Sequence, residues 1–204
     1  MASLFSFAED NGAAAGSPPT GTRTMGRTEC NWKNVDDSTT AYSSSPITAG
    51  NNSFVKYQYG MISGTWNQIL NGLFGHTTGT LGAGLTLRLM TGALTTGYQT
   101  PNTTTLSSGV DATLAGTIAT SGTGVKFSDK GPQSGTGATL NTFVNTGYTC
   151  YLITQLQTTT GASPGDIASQ TLTLQYDENV LIGWLIPAAI AGIGLLTSLA
   201  NLIV

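Results

Sequence analysis

Ser53-Phe54-Val55-Lys56-Tyr57-Gln58-Tyr59 places Val55, Tyr57 and Tyr59 on one side of an extended chain and Phe54, Lys56 and Gln58 on the other, because successive side chains of a strand point to opposite faces. Aromatic and β-branched residues favour that conformation over a helix, and the tyrosine side is expected to meet the core. Leu85-Thr86-Leu87-Arg88-Leu89 repeats the pattern strictly, leucines inward, Thr86 and Arg88 outward. Residues 148–156 read as another central strand, and residues 170–176 as a last one with Leu172, Leu174 and Tyr176 on one face. Weaker strand signals lie at 110–119 and 125–127. Clusters of Gly, Pro and small polar residues at 49–52, 128–137 and 158–166 separate the runs and have turn chemistry, and the Thr- and Gly-rich passage 91–107 reads as a surface loop. Roughly seven to ten short strands so spaced predict an all-β fold, an antiparallel β-sandwich or jelly roll over residues 28–178.

One stretch breaks the period. In residues 61–74, Ile62, Trp66, Ile69, Leu70 and Leu73 fall at helical spacing. A strand followed by a bulge is the alternative for the same residues.

The two ends differ from the body. Residues 1–27 are expected to form a flexible N-terminal arm, since 11–24 is Gly, Pro and small polar side chains that bury little area. The start has no basic n-region and only a short apolar run, so a non-secretory, uncleaved start is expected. Residues 179–204 carry no charge and form the longest apolar segment of the chain. As a helix, residues 180–200 extend about 30 Å, the hydrocarbon thickness of a bilayer. In that reading Trp184 sits near one interface and Pro187 in the first turns, while Ala188, Gly192 and Gly194 allow a second helix to approach, with Leu195 and Leu199 further along. Two readings stand side by side for this hydrophobic helix: a membrane anchor in lipid, or a helix buried at the centre of an oligomer. No Lys or Arg flanks it to set an orientation.

Composition narrows the function. Only 8% of the 204 residues are charged and the net charge is −3. Against a usual charged fraction near 25%, the chain substitutes about 35 threonines and an excess of glycine. Seven scattered Lys and Arg make no basic field, so nucleic acid is not an expected partner. A single histidine, His76, excludes a relay of two imidazoles and a His cluster around a metal, and no Gly-x-Ser-x-Gly elbow is present. His76 reads as a hydrogen-bonding residue of a loop or sheet edge. The acidic pairs Asp36-Asp37 and Asp177-Glu178 read as a solvated turn and a strand-end stop, without the calcium-loop pattern. Cys30 and Cys150 are expected as free, buried thiols. No enzyme activity, cofactor or metal is expected.

Residues 163–166, Ser-Pro-Gly-Asp, leading into 170–177, and residues 46–50, Pro-Ile-Thr-Ala-Gly, leading into the Phe54 to Tyr59 strand, carry a resemblance. In these turn-to-strand junctions the chain resembles small all-β virion structural proteins of bacterial viruses: head-decoration, minor capsid, spike and tail-adaptor components. The resemblance implies a non-enzymatic virion component that forms homo-oligomers and packs on other virion structural proteins. The apolar C-terminus departs from soluble decoration proteins and keeps a lipid membrane, through residues 180–204, open as a partner. A cell-surface adhesin or pilin-like binding module anchored by its C-terminus is the alternative of a different class.

Overall fold

The computed structural model describes residues 4–17, 19–63, 68–92, 96–115, 124–126, 140–141, 146–163, 169–179 and 197–203. In chain order the strands are β1 (Leu4–Ala15), β2 (Thr20–Arg27), β3 (Lys56–Ser63), β4 (Gln68–Thr78), β5 (Leu85–Gly92), β6 (Val110–Asp111), β7 (Gly124–Lys126), β8 (Leu140–Asn141), β9 (Thr146–Tyr148), β10 (Tyr151–Thr158), β11 (Thr171–Asn179) and β12 (Thr197–Ile203). A single 3-10 turn, Tyr42–Ser44, is the helical element among the described residues. The protein is mostly β, and among the described residues every strand pairing is antiparallel. One sheet runs β2-β1-β3-β10-β5-β6 with β9 also on β3; the second runs β12-β11-β4-β7 with β8 also on β4.

Period-two patterning explains where the core sits. Leu87 and Leu89 of β5, Leu152 and Leu156 of β10, and Phe7 of β1 meet Phe74 of β4 and Leu174 and Tyr176 of β11 in one apolar cluster that draws on both sheets. The opposite face of the first sheet holds a second cluster of Ala8, Tyr57, Tyr59, Tyr151 and Ile153, closed by Val55 and by Tyr98 from the 91–107 passage. β10 therefore has apolar neighbours on both faces, and Tyr151 through Leu156 are all buried.

Three expectations require correction. The segment expected as a flexible arm is a hairpin: β1 pairs with β3 from Leu4↔Ser63 to Asp10↔Tyr57 and with β2 on its other side. Phe5 and Phe7 alternate into the core, their rings 4.9 Å apart and edge-on, and that apolar contact supplies the burial that Ala and Gly further along do not. The helical spacing of 61–74 belongs to strands: β3 runs to Ser63 and β4 begins at Gln68. Leu73 pairs with Gln175 and Leu70 with Asp177, so Asn71 and Gly72 together face Tyr176 alone. That bulge inserts one residue into the alternation and produces the three-residue step that imitates a helix. Trp66 lies outside the described residues. Finally, a C-terminal helix does not extend over residues 197–203, which form β12 against β11 from Thr197↔Asn179 to Ile203↔Thr173. Among the described residues no helix is long and apolar enough to cross a membrane.

Close packing on β3 makes a testable point. A Cβ at Gly60 would collide with the edge of the Phe5 ring and stand 3.1 Å from Thr149 Cγ2. The backbone there is also pinned, Gly60 N–H donating to Thr149 Oγ1 at 2.8 Å. Gly60→Ala is expected to destabilise by about 1–3 kcal/mol, the usual cost of overpacking, read as a lower urea midpoint at unchanged m-value. An unchanged midpoint would show that Phe5 is not held against β3.

Candidate functional site

β1 carries the chain's most unusual chemistry, because Glu9, Asp10 and Asn11 follow one another inside the protein. All three are buried. Alternation sends Glu9 and Asn11 to the face shared with Lys56 and Gln58 of β3, and sends Asp10 to the tyrosine face.

On the first face, Lys56 Nζ lies 3.1 Å from Glu9 Oε1, and Gln58 Nε2 donates to Glu9 Oε2 at 3.1 Å. Asn11 Nδ2 donates to Glu9 Oε1 at 3.0 Å and to Asp36 Oδ1 at 2.9 Å. The network continues into the irregular segment 28–55. Lys56 Nζ also donates to the Asp37 carbonyl, and buried Lys33 donates from Nζ to Asp37 Oδ1 at 2.7 Å and to the Thr40 carbonyl at 2.6 Å. Asp37 accepts further from the N–H groups of Thr39 and Thr40 and from Thr40 Oγ1. The hydrogen bond from Lys33, aided by those of Thr40, holds the Asp37 carboxyl well below the usual carboxylate range. Asp36 and Asp37 thus tie a long loop to the sheet, where a solvated turn was expected. Trp32 adds a contact, Nε1 donating to Thr154 Oγ1 at 3.0 Å.

Beside this network is a cavity of about 960 Å³ lined by residues 27–32, 42–43 and 46–49 and, from the strands, by Phe7, Gln58, Phe74, Leu85, Leu156 and Leu172. Its thiol, Cys30, is pushed up to about 12, first by burial and then by the Glu9 charge. Its Sγ is 3.5 Å from Thr154 Oγ1, so at neutral pH it is a protonated packing group and a poor nucleophile. No disulfide joins it to Cys150.

On the second face, Tyr151 donates its hydroxyl to Asp10 Oδ2 at 2.5 Å, while Arg23 Nε of β2 approaches Asp10 Oδ1 at 3.3 Å. The Arg23 guanidinium also lies 4.9 Å from the centroid of the Tyr59 ring. Tyr57, Tyr59, Tyr98 and Tyr151 pack mainly edge-on, with centroids between 4.9 and 5.8 Å. Tyr98 fixes its loop by donating to the Gly12 carbonyl at 2.7 Å. Burial pushes all four hydroxyls above the ordinary tyrosine value, with the Asp10 charge adding to the rise at Tyr59, Tyr98 and Tyr151.

His76 is a hydrogen-bonding residue as expected, placed in a strand and not in a loop. It is buried in β4, with Nδ1 2.8 Å from the Ala112 carbonyl and Nε2 3.0 Å from the Thr78 carbonyl. With both nitrogens facing backbone oxygens it braces β4 against the segment after β6, away from the carboxylates of β1. Among the described residues no group of three or more His, Cys, Asp or Glu side chains is placed to hold a metal ion.

Of the residues singled out in the apolar C-terminus, Leu199 sits in β12 opposite Asp177. Trp184, Pro187, Ala188, Gly192, Gly194 and Leu195 lie outside the described residues. The buried groups on β1 and β3 were not anticipated. Their signal was Lys56, the one charge inside an aromatic strand, and Glu9-Asp10 directly after the alternating Phe5 and Phe7. No protein-family model matches the chain, and no curated protein and no solved structure is significantly similar to it.

Proposed function

We propose that this chain is a non-enzymatic structural protein of a virion, a minor capsid, decoration or spike component whose β-sandwich packs against copies of itself and other coat proteins. The observation that carries the reading is where the charge lies. The chain has only 17 ionisable Lys, Arg, Asp and Glu residues, and Glu9, Asp10, Lys33 and Lys56 are buried. Among the described side chains the exposed charges are Arg23, Glu29 and Asp111. Among the described residues the outer surface is instead largely Thr, Ser, Gly, Ala and Asn, as in Ala13–Ser17, 43–44, 48–51, 102–105 and 159–161, with Met25, Tyr42 and Leu114 as exposed apolar side chains.

Such a surface poorly suits a monomer at high concentration, where net charge keeps molecules apart. It suits a lattice of close neighbours, because covering neutral hydroxyls and small side chains does not desolvate an unpaired charge. Residues 180–204 are the proposed attachment segment, to protein or to lipid. Protein mass spectrometry of purified virions from the source is expected to find the chain at a fixed ratio to the major coat protein. Its absence from the particles, or its recovery from the surface of uninfected cells, would overturn the reading, the second outcome in favour of an anchored adhesin.

A further inference from the structure

We propose that Lys56 and Asn11 become joined by an intramolecular amide between their side chains, with Glu9 carrying the protons. The register places the partners: Glu9 pairs with Gln58 and Asp10 with Tyr57, so the next step along the two antiparallel strands sets Asn11 beside Lys56, on the face that Glu9 and Gln58 share. A single carboxylate oxygen, Glu9 Oε1, accepts from both Lys56 Nζ at 3.1 Å and Asn11 Nδ2 at 3.0 Å. Amine, acid and carboxamide are thus held around one atom.

Burial favours the reaction. Glu9 and Lys56 are each 1% exposed and Asn11 is 7% exposed. Burial keeps bulk water from competing as the nucleophile. Both hydrogens of Asn11 Nδ2 are directed at carboxylates, Glu9 and Asp36, which fixes the carboxamide with its leaving nitrogen toward the acid. Asn11 Oδ1 has no hydrogen-bond partner although it is buried. An orphaned polar atom of this kind is costly and uncommon in native interiors, and here it belongs to the group that would react.

The step balances without an oxidant or any other reactant. Glu9 takes one proton from the Lys56 ammonium, and the freed Nζ lone pair attacks Asn11 Cγ. The Nζ–Cγ bond forms, Glu9 delivers its proton to Nδ2 and receives the second proton from Nζ, and the Cγ–Nδ2 bond breaks. Ammonia leaves, taking up the proton on Glu9 as it goes and restoring the carboxylate. The product ties β1 covalently to β3.

Intact mass spectrometry of the purified full chain, shown to be folded by near-ultraviolet circular dichroism, tests this directly. The expected mass lies about 17 Da below that of the sequence, one ammonia per chain. Trypsin is then expected to spare Lys56 and release a branched peptide joining residues 1–23 to residues 34–88. Folded protein at the full sequence mass overturns the proposal. So does the same loss without a branched peptide, because Asn11 precedes Gly12 and a cyclic imide at that pair also expels ammonia. In Glu9→Gln, folded protein at full mass is the expected result, and a persisting cross-link would overturn the assignment of Glu9 as the proton carrier.

Discussion

Lys56→Met is expected to destabilise the protein by about 3–4 kcal/mol, toward the lower end of the cost of removing one partner from a buried ion pair. Met retains much of the length and apolar volume of the lysine stem, so the loss isolates the ammonium. Lys56 and Glu9 are both almost fully buried, and without the cation Glu9 keeps only the neutral donors Gln58 Nε2 and Asn11 Nδ2. The same change releases the Asp37 carbonyl that Lys56 holds, which loosens the 28–55 segment from the sheet. In chains whose intact mass shows the Lys56–Asn11 amide, Lys56 carries no charge, and the loss in Lys56→Met is then that of the cross-link in place of the ion pair. For a domain of ordinary stability, about 5–15 kcal/mol, such a change removes a large fraction of the total. Adding Glu9→Gln to Lys56→Met removes the stranded charge and is expected to recover part of the loss, since Gln58 can still donate to an amide oxygen. Urea unfolding of the single and double variants, each with its intact mass, checks this; a double variant no more stable than Lys56→Met would show that Glu9 is not the source of the cost.

The sequence reading succeeded where a strand has one apolar side, and failed where that condition breaks down. Leu87 and Leu89, or Leu174 and Tyr176, alternate with less buried residues, and their faces are assigned by period alone. β3 defeats the same rule because both of its faces are covered: Tyr57 and Tyr59 meet the tyrosine cluster while Lys56 and Gln58 meet Glu9. A lysine in an alternating strand reads as solvent-facing, and only its partner on β1, 47 residues away in sequence, explains its burial. The first 27 residues were misread through composition. Ala13–Ala15 and Gly16 look like a tether, yet Phe5 and Phe7 before them anchor the strand, and Gly12, with φ +87°, accommodates the irregular register between Asn11 and Ala15. In 61–74 a bulge shifted the alternation into a helical count. The local signals, Lys56 inside an aromatic strand and Glu9-Asp10 after Phe5 and Phe7, mark these positions as unusual without naming their partners, because each partner lies on a strand distant in sequence.

The position of charge links the fold to the proposed role. A β protein usually solvates its charges and buries its apolar side chains. Here Lys33, Lys56, Glu9 and Asp10 serve as internal ties that fasten a long irregular segment and a terminal hairpin to the sheet. Among the described side chains few charges are left at the surface, and the proposed packing of neighbouring copies rests on that.

The tyrosine face leads to the second large effect, a steep loss of stability in alkali. An ordinary tyrosine ionises near pH 10, whereas burial holds the hydroxyls of Tyr57, Tyr59, Tyr98 and Tyr151 above that value in the native protein, and at Tyr151 the hydrogen bond to the Asp10 carboxylate adds to the effect. Above about pH 10 the unfolded chain has released these protons and the native chain has not, so unfolding releases protons and stability falls as pH rises; below it both states are protonated and the contribution is complete. Each such group supplies a slope of at most about 1.4 kcal/mol per pH unit, and four together about 5. At that slope an ordinary stability of about 5–15 kcal/mol is exhausted within roughly one to three pH units. Absorbance near 295 nm, followed together with near-ultraviolet circular dichroism, is expected to show these four hydroxyls ionising only as the tertiary signal collapses, in a single cooperative step. Tyr151→Phe is expected to make the alkaline loss shallower by about a quarter while lowering stability at neutral pH, because Asp10 then keeps only Arg23 as its side-chain partner. If all the tyrosines instead titrated smoothly near pH 10 with the tertiary signal intact, the packed cluster of Tyr57, Tyr59, Tyr98 and Tyr151 against Asp10 would be excluded.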